Sequence, residues 1–227
     1  MDWRGGQAAS RNRYLAKYDT AEVDQYHSRG GNLTREDQEA YLADLDRVFP
    51  FREGMTVLDA GAGTGALCRV LSRLAGLSIA ALEPAPAMLA RLKSQAELRS
   101  VLAVEGFCDA SGDRRHFRDG QFDVIVSRQL ANGLFDPLTA FRNWHYWLST
   151  GGAVLLIDGL YGRSAWTGKW EEEVDVLPLS ACQTTALIPY LLEAAGFCVD
   201  AVEWMTATNA LASTRTTRYV VVARKVA

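Results

Sequence analysis

The stretch Val57-Leu58-Asp59-Ala60-Gly61-Ala62-Gly63-Thr64-Gly65 runs from strand-forming apolar residues into three glycines spaced two apart. Glycines in such a turn accept positive φ and let a ligand lie against bare backbone. Glu83 stands 22 residues after Gly61, at the end of the next apolar run. A carboxylate there can accept hydrogen bonds from both ribose hydroxyls of an adenosine. Turn and acid together predict an adenosine-type ligand, and the turn alone leaves open which one. Gly61, Gly63 and Ala66 also satisfy a loose G-x-G-x-x-A dinucleotide pattern, so a nicotinamide oxidoreductase is the first alternative. Two features weigh against it. Asp59 puts a carboxylate just before the glycines, where it repels a pyrophosphate but can engage a cationic amino acid moiety. The turn also follows a helical extension of about fifty residues, whereas dinucleotide folds usually open with that strand.

Other residues with chemical potential fall near the same expected edge. Ser127, Arg128 and Gln129 end a β-prone run, and open α/β sheets place ligands at the carboxyl ends of their strands. Ser127 and Gln129 are therefore expected to line the site, and Arg128 reads as a solvated charge. Tyr14 and Tyr18 are i, i+4 and share one helical face. His27 is a candidate base, His145 reads as a packed helix residue, and His116 lies among Arg114, Arg115 and Arg118 as a loop residue. Residues 159–182 carry Tyr161, Trp166 and Trp170, aromatics that could wall off a flat or cyclic acceptor. Glu171, Glu172, Glu173 and Asp175 follow; a charge run is usually a solvated face, but beside a site it would favour an amine, and nitrogen is set slightly ahead of oxygen.

These residues need elements to hold them. Residues 1–50 read as a polar helical cap: Asp19 and Glu22 open one helix through Tyr26, Gly30-Gly31 breaks the chain as a hinge, and Thr34 caps a second helix. Tyr41, Leu45, Val48 and Phe49 give that second helix one packing face. From residue 51 to 227, strands at 55–58, 78–82, 101–104, 122–126, 153–157, 198–204 and 218–223 alternate with helices over 65–74, 84–98, 137–148 and 185–195. Alternation of this kind makes a doubly wound α/β fold with a mostly parallel sheet. The irregular segment at 159–182 is longer than ordinary connections and is expected to be functional.

Composition narrows the class. The 227 residues carry 24 Lys+Arg against 27 Asp+Glu, a net charge of −3, which lacks the basic footprint of a nucleic-acid binder. No apolar run is long enough to span a membrane. The opening Met-Asp-Trp-Arg-Gly-Gly-Gln has no apolar signal core. Cys68, Cys108, Cys182 and Cys198 are too dispersed for a metal knuckle or a disulfide framework, and no His/carboxylate cluster has metal-ligand spacing. A cytoplasmic chain with reduced thiols is expected; the composition does not speak to its oligomeric state.

Val57–Gly65 resembles motif I of the class I S-adenosylmethionine-dependent methyltransferases, and the resemblance runs through most of residues 14–226. Glu83 is similar to the family's acidic residue, and Cys108-Asp109-Ala110 falls where an Asp commonly meets the adenine. Phe122–Ser127 resembles the fourth-strand motif; Leu148-Ser149-Thr150-Gly151-Gly152 resembles the L-K-P-G-G turn, with Ser-Thr replacing Lys-Pro. Ser127-Arg128-Gln129-Leu130 departs from the Asn/Asp-Pro-Pro-Tyr/Phe of nucleic-acid amino-methyltransferases. The resemblance implies a Rossmann-like seven-stranded sheet in the order 3-2-1-4-5-7-6, the cofactor S-adenosyl-L-methionine, and a small-molecule acceptor. It implies that Gly61, Ala62 and Gly63 present backbone to the cofactor, with Asp59 near its amino group. Glu83 would hold the ribose, Pro84 and Met88 would pack by the adenine, and Cys108, Asp109 and Ala110 would contact it. A helix bearing Tyr14 and Tyr18 would close over the cofactor. Non-catalytic cofactor binding is the second alternative.

Overall fold

The computed structural model describes residues 3–226, so residues 1 and 2 of the expected cap, and residue 227, lie outside the described residues. Helix α1 (Trp3–Ala16) and helix α2 (Thr20–Tyr26) lead into a single π turn (His27–Gly31) and helix α3 (Arg35–Val48). Asp19 accepts the Glu22 N–H at the start of α2, and Thr34 with Asp37 forms a reciprocal capping box on α3.

Seven strands follow: β1 (Thr56–Ala60), β2 (Ser78–Glu83), β3 (Leu102–Glu105), β4 (Phe122–Arg128), β5 (Leu148–Gly159), β6 (Phe197–Trp204) and β7 (Arg218–Lys225). They form one sheet in the order 3-2-1-4-5-7-6, as expected. Only β7 is reversed, running antiparallel to both β5 and β6. Helices α4 (Ala66–Leu71), α5 (Pro86–Lys93), α6 (Pro137–Trp147), α7 (Leu187–Ala194) and α8 (Thr206–Asn209) complete the chain.

Both faces of the sheet are covered, which explains the continuous apolar runs of the central strands. Leu58, Ile125, Val154 and Val221 pack with Phe141 and Trp144 of α6 and Leu192 of α7. Their neighbours Val57, Val124, Leu155 and Val220 pack with Tyr41 and Leu45 of α3 and Leu67 of α4. One-residue alternation along each strand thus serves two cores.

Two boundaries shift by five residues, and α8 is a short helix the sequence did not single out. The helix expected to reach 98 stops at Lys93, because Gln95 turns extended and donates its side-chain amide to the Thr64 carbonyl at 2.7 Å. Strand β5 begins at Leu148 rather than 153, since Leu148 already pairs with Phe122 across a bulge. Among the described residues no helix is long and apolar enough to cross a membrane.

Candidate active site

The turn after β1 is built as the glycine pattern requires. Gly61 and Gly63 have φ of 71° and 55°, and the N–H groups of Gly61 and Ala62 both donate to the Leu82 carbonyl. Glu83, at the end of β2, accepts the Gly63 N–H at 2.9 Å and the Ala85 N–H at 2.8 Å. One carboxylate therefore ties the end of β2 to the turn. Burial pushes its pKa up to about 7. Ser127 donates to the Ala60 carbonyl at 3.0 Å, which joins the end of β4 to the same turn.

A cavity opens beyond these groups. Gly61, Gly63, Glu83, Pro84, Met88, Cys108 and Asp109 line it, together with Gln129. Tyr14, Tyr18 and Tyr26 also line it, with Phe107 and Leu130, which the motifs did not single out. The Tyr14 and Tyr18 hydroxyls lie 3.0 Å apart, and both rings pack against Trp170. Burial raises both phenols, so they remain protonated donors.

Several expected contacts lie elsewhere. Asp59 points behind the turn, where it accepts the Cys68 thiol at 3.1 Å, and burial pushes it up to about 6. Ala62, Ala110 and Ser127 are not among the lining residues. The Ala110 carbonyl instead accepts the Asn143 side-chain amide at 2.8 Å. His27 is buried and meets the Thr64 hydroxyl at 3.0 Å, so it braces the turn from outside the cavity. Asp109 is engaged by Arg11 of α1 and by the Phe135 N–H at 2.6 Å; Arg11 lies 4.5 Å over the Phe107 ring. No local pattern could have joined residue 11 to residue 109.

With α1 in this position the enclosed space is about 110 Å³, below the roughly 300–1,000 Å³ of small-molecule pockets. Gly31, half of the expected Gly30-Gly31 hinge, is tightly packed in this structure. Its carbonyl accepts Arg69 at 2.8 Å, and a Cβ there would meet the Thr64 hydroxyl at 2.4 Å. Gly31 is needed for close approach. Hydrogen exchange through the N-terminal thirty residues, α1 above all, is expected to slow on adding S-adenosylhomocysteine. Identical exchange with and without it would remove the lid.

In the cavity wall Gln129 holds φ of 57°, a left-handed backbone that a non-glycine residue keeps only under constraint. Its amide donates to the Tyr161 hydroxyl, and Arg128 donates to its carbonyl oxygen at 3.0 Å. Arg128 is no solvated charge: it is buried, with its guanidinium 5.7 Å from the Tyr41 ring centroid. Of the expected acceptor wall, Tyr161 reaches Gln129, Trp170 packs on the roof, and Trp166 donates to the Ser180 carbonyl at 2.9 Å. Trp166 thus pins its own segment. The acidic run is also occupied: Glu173 is buried on Lys17, Asp175 pairs with Arg163 at 2.6 Å, and Glu171 accepts the Gly168 N–H.

Residues 58–156 match a family model described as a methyltransferase domain. The chain is 31% identical over 132 residues to the ubiquinone biosynthesis O-methyltransferase of Pseudomonas paraeruginosa, covering 53% of this chain and 55% of that protein. It therefore spans about half the length of the curated relative it matches. Its fold is similar to an S-adenosylmethionine-dependent methyltransferase from Mesorhizobium loti, at 23% identity and a TM-score of 0.63 over 83% of this chain and 99% of that one. It is also similar to Haemonchus contortus phosphoethanolamine N-methyltransferase 2 in complex with S-adenosylhomocysteine, at 19% identity and a TM-score of 0.69 over 93% of this chain and 58% of that one. The family match contains the glycine turn, Glu83 and the end of β4. Over residues 58–156 the sequence is thus similar to a methyltransferase domain, and the seven-stranded fold around it is similar to that of these methyltransferase structures.

Proposed function

We propose that this chain transfers the sulfonium methyl group of S-adenosylmethionine to a small-molecule acceptor, an aromatic or cyclic metabolite, in the cytoplasm. One observation carries the reading: two cavities meet at the carboxyl end of β4, sharing Tyr26, Arg128 and Gln129 as a common wall. The first holds the glycine turn and Glu83; the second, of about 340 Å³, is of small-molecule size.

The residues of the first cavity fit an adenosyl group. A Cβ at Gly63 would project toward the Tyr26 ring, 3.6 Å away, so bare backbone faces the space, and Glu83 stands beside it as an acceptor. When bound, the cofactor supplies an electrophilic methyl carbon with a neutral leaving group. The work left to the protein is alignment and exclusion of water. Gln129, fixed from both sides by Tyr161 and Arg128, is suited to orient an acceptor at the shared wall. The tyrosine roof would keep water out. A base is required only where the nucleophile carries a proton to be lost. Similarity to a protein named as an O-methyltransferase supports oxygen as the acceptor atom; Glu173 and Asp175, of the acidic run that would favour an amine, are taken up by their own partners.

Calorimetry on the purified protein is expected to show one S-adenosylhomocysteine bound per chain and no binding of NAD. Binding of NAD in place of S-adenosylhomocysteine would refute the reading.

A further inference from the structure

Resting on the methyl-transfer reading, we infer that the second cavity receives an acceptor bearing a carboxylate or phosphate group. Four arginines line it, Arg29, Arg128, Arg215 and Arg218, against two carboxylates, Glu22 and Asp37. Both acids are already engaged. Glu22 pairs with Lys169 at 2.9 Å. Asp37 accepts the Thr34 N–H at 2.8 Å and the Ser213 hydroxyl. Among the described residues, Arg29, Arg215 and Arg218 have no carboxylate within 4.0 Å. The Arg218 guanidinium donates to the Tyr161 hydroxyl, at 3.3 Å, and Asp158 near it turns its carboxylate onto the Gly159 N–H at 2.7 Å.

The arginines converge from separate parts of the chain: the π turn after α2, the end of β4, and the segment entering β7. Their placement around one concavity leaves positive charge in excess on its wall. Guanidinium groups suit this task, because their planar fork matches carboxylate and phosphate oxygens. Arg128 is the link to the chemistry, since it also lines the first cavity and holds Gln129. An anion anchored on Arg215 and Arg218 would leave the rest of the acceptor directed at the Gln129 wall. Arginine also explains why a chain of net charge −3 would hold an acidic metabolite locally.

The test titrates S-adenosylhomocysteine-saturated protein with benzoate and phenyl phosphate, and with benzamide and benzylamine as neutral and cationic counterparts. The two anions separate carboxylate from phosphate preference. At least one anion is expected to bind tenfold or more tighter than either counterpart, with affinity falling as salt rises. R215Q and R218Q should each weaken that anion by about five- to twentyfold while S-adenosylhomocysteine affinity stays within twofold. Arg215 is exposed, so R215Q keeps the test open even if R218Q folds poorly. Equal or tighter binding of benzamide or benzylamine, no anion binding at millimolar concentration, or unchanged anion affinity in a folded R215Q/R218Q protein would overturn the inference. Failure of S-adenosylhomocysteine to bind would instead strike the methyl-transfer reading, and the same fragments titrated on ligand-free protein would still test the arginine cavity.

Discussion

A Gly61→Val substitution is expected to abolish S-adenosylhomocysteine binding, a loss beyond a hundredfold, or roughly 2.7 kcal/mol. Two effects add. Gly61 has φ of 71°, which a β-branched residue adopts only under strain of about 1–3 kcal/mol. A Cβ at this position would also lie 2.7 Å from a Leu130 methyl carbon, and Leu130 is itself part of the cavity wall. The valine therefore pushes the wall and the turn apart where the cofactor is expected to touch backbone. Near-ultraviolet circular dichroism establishes that the variant is folded, and calorimetry reads the affinity. A folded Gly61→Val protein that binds within twofold of the unaltered chain would remove the turn from the site.

Glu83→Ala is expected to weaken S-adenosylhomocysteine by about 1.5–3 kcal/mol, the range for hydrogen bonds to a charged group. The same carboxylate makes the affinity depend on pH. Burial raises the pKa of Glu83 from 4.5 to about 7 in the ligand-free fold. Ribose hydroxyls donate best to the ionised form, so affinity should rise as pH passes upward through 7 and level off above it. The stability of the ligand-free protein runs the other way. A folded pKa above the unfolded one makes a contribution that is full below pH 4.5 and is lost as pH climbs through 7. Glu83→Gln should flatten that part of the stability profile. An affinity independent of pH between 6 and 8, together with an unchanged profile in Glu83→Gln, would show that Glu83 does not meet the ligand.

Much of this arrangement was legible in local sequence. Three glycines at a strand end with Glu83 after the next strand specify a turn and an acid that the sheet register then places side by side, as the Gly63–Glu83 hydrogen bond shows. Alternating elements implied a mostly parallel, doubly wound sheet, and its strand order came from the family resemblance alone. Contacts between distant segments were not legible. Arg128 reads as a surface charge because its neighbours in sequence are polar, yet α3 brings Tyr41 over it. Glu173 sits in an acidic run and is nonetheless buried on Lys17, from the opposite end of the chain. Three aromatics in an irregular segment signal burial but not direction, and Trp166, Trp170 and Tyr161 face three different partners. The arginine cavity is of the same kind: its members are far apart in sequence and meet only once α2, β4 and β7 are assembled.

Methyl transfer to a small molecule is followed through the methyl group itself. The purified chain is incubated with S-adenosylmethionine carrying an isotopically labelled methyl and with a pool of metabolites below about 1,000 Da, then resolved by mass spectrometry. One labelled small-molecule product is expected, formed in equal amount with S-adenosylhomocysteine and absent with Gly61→Val. Label appearing only on the chain itself, or no labelled product while S-adenosylhomocysteine binds tightly, would contradict methyl transfer to a small molecule.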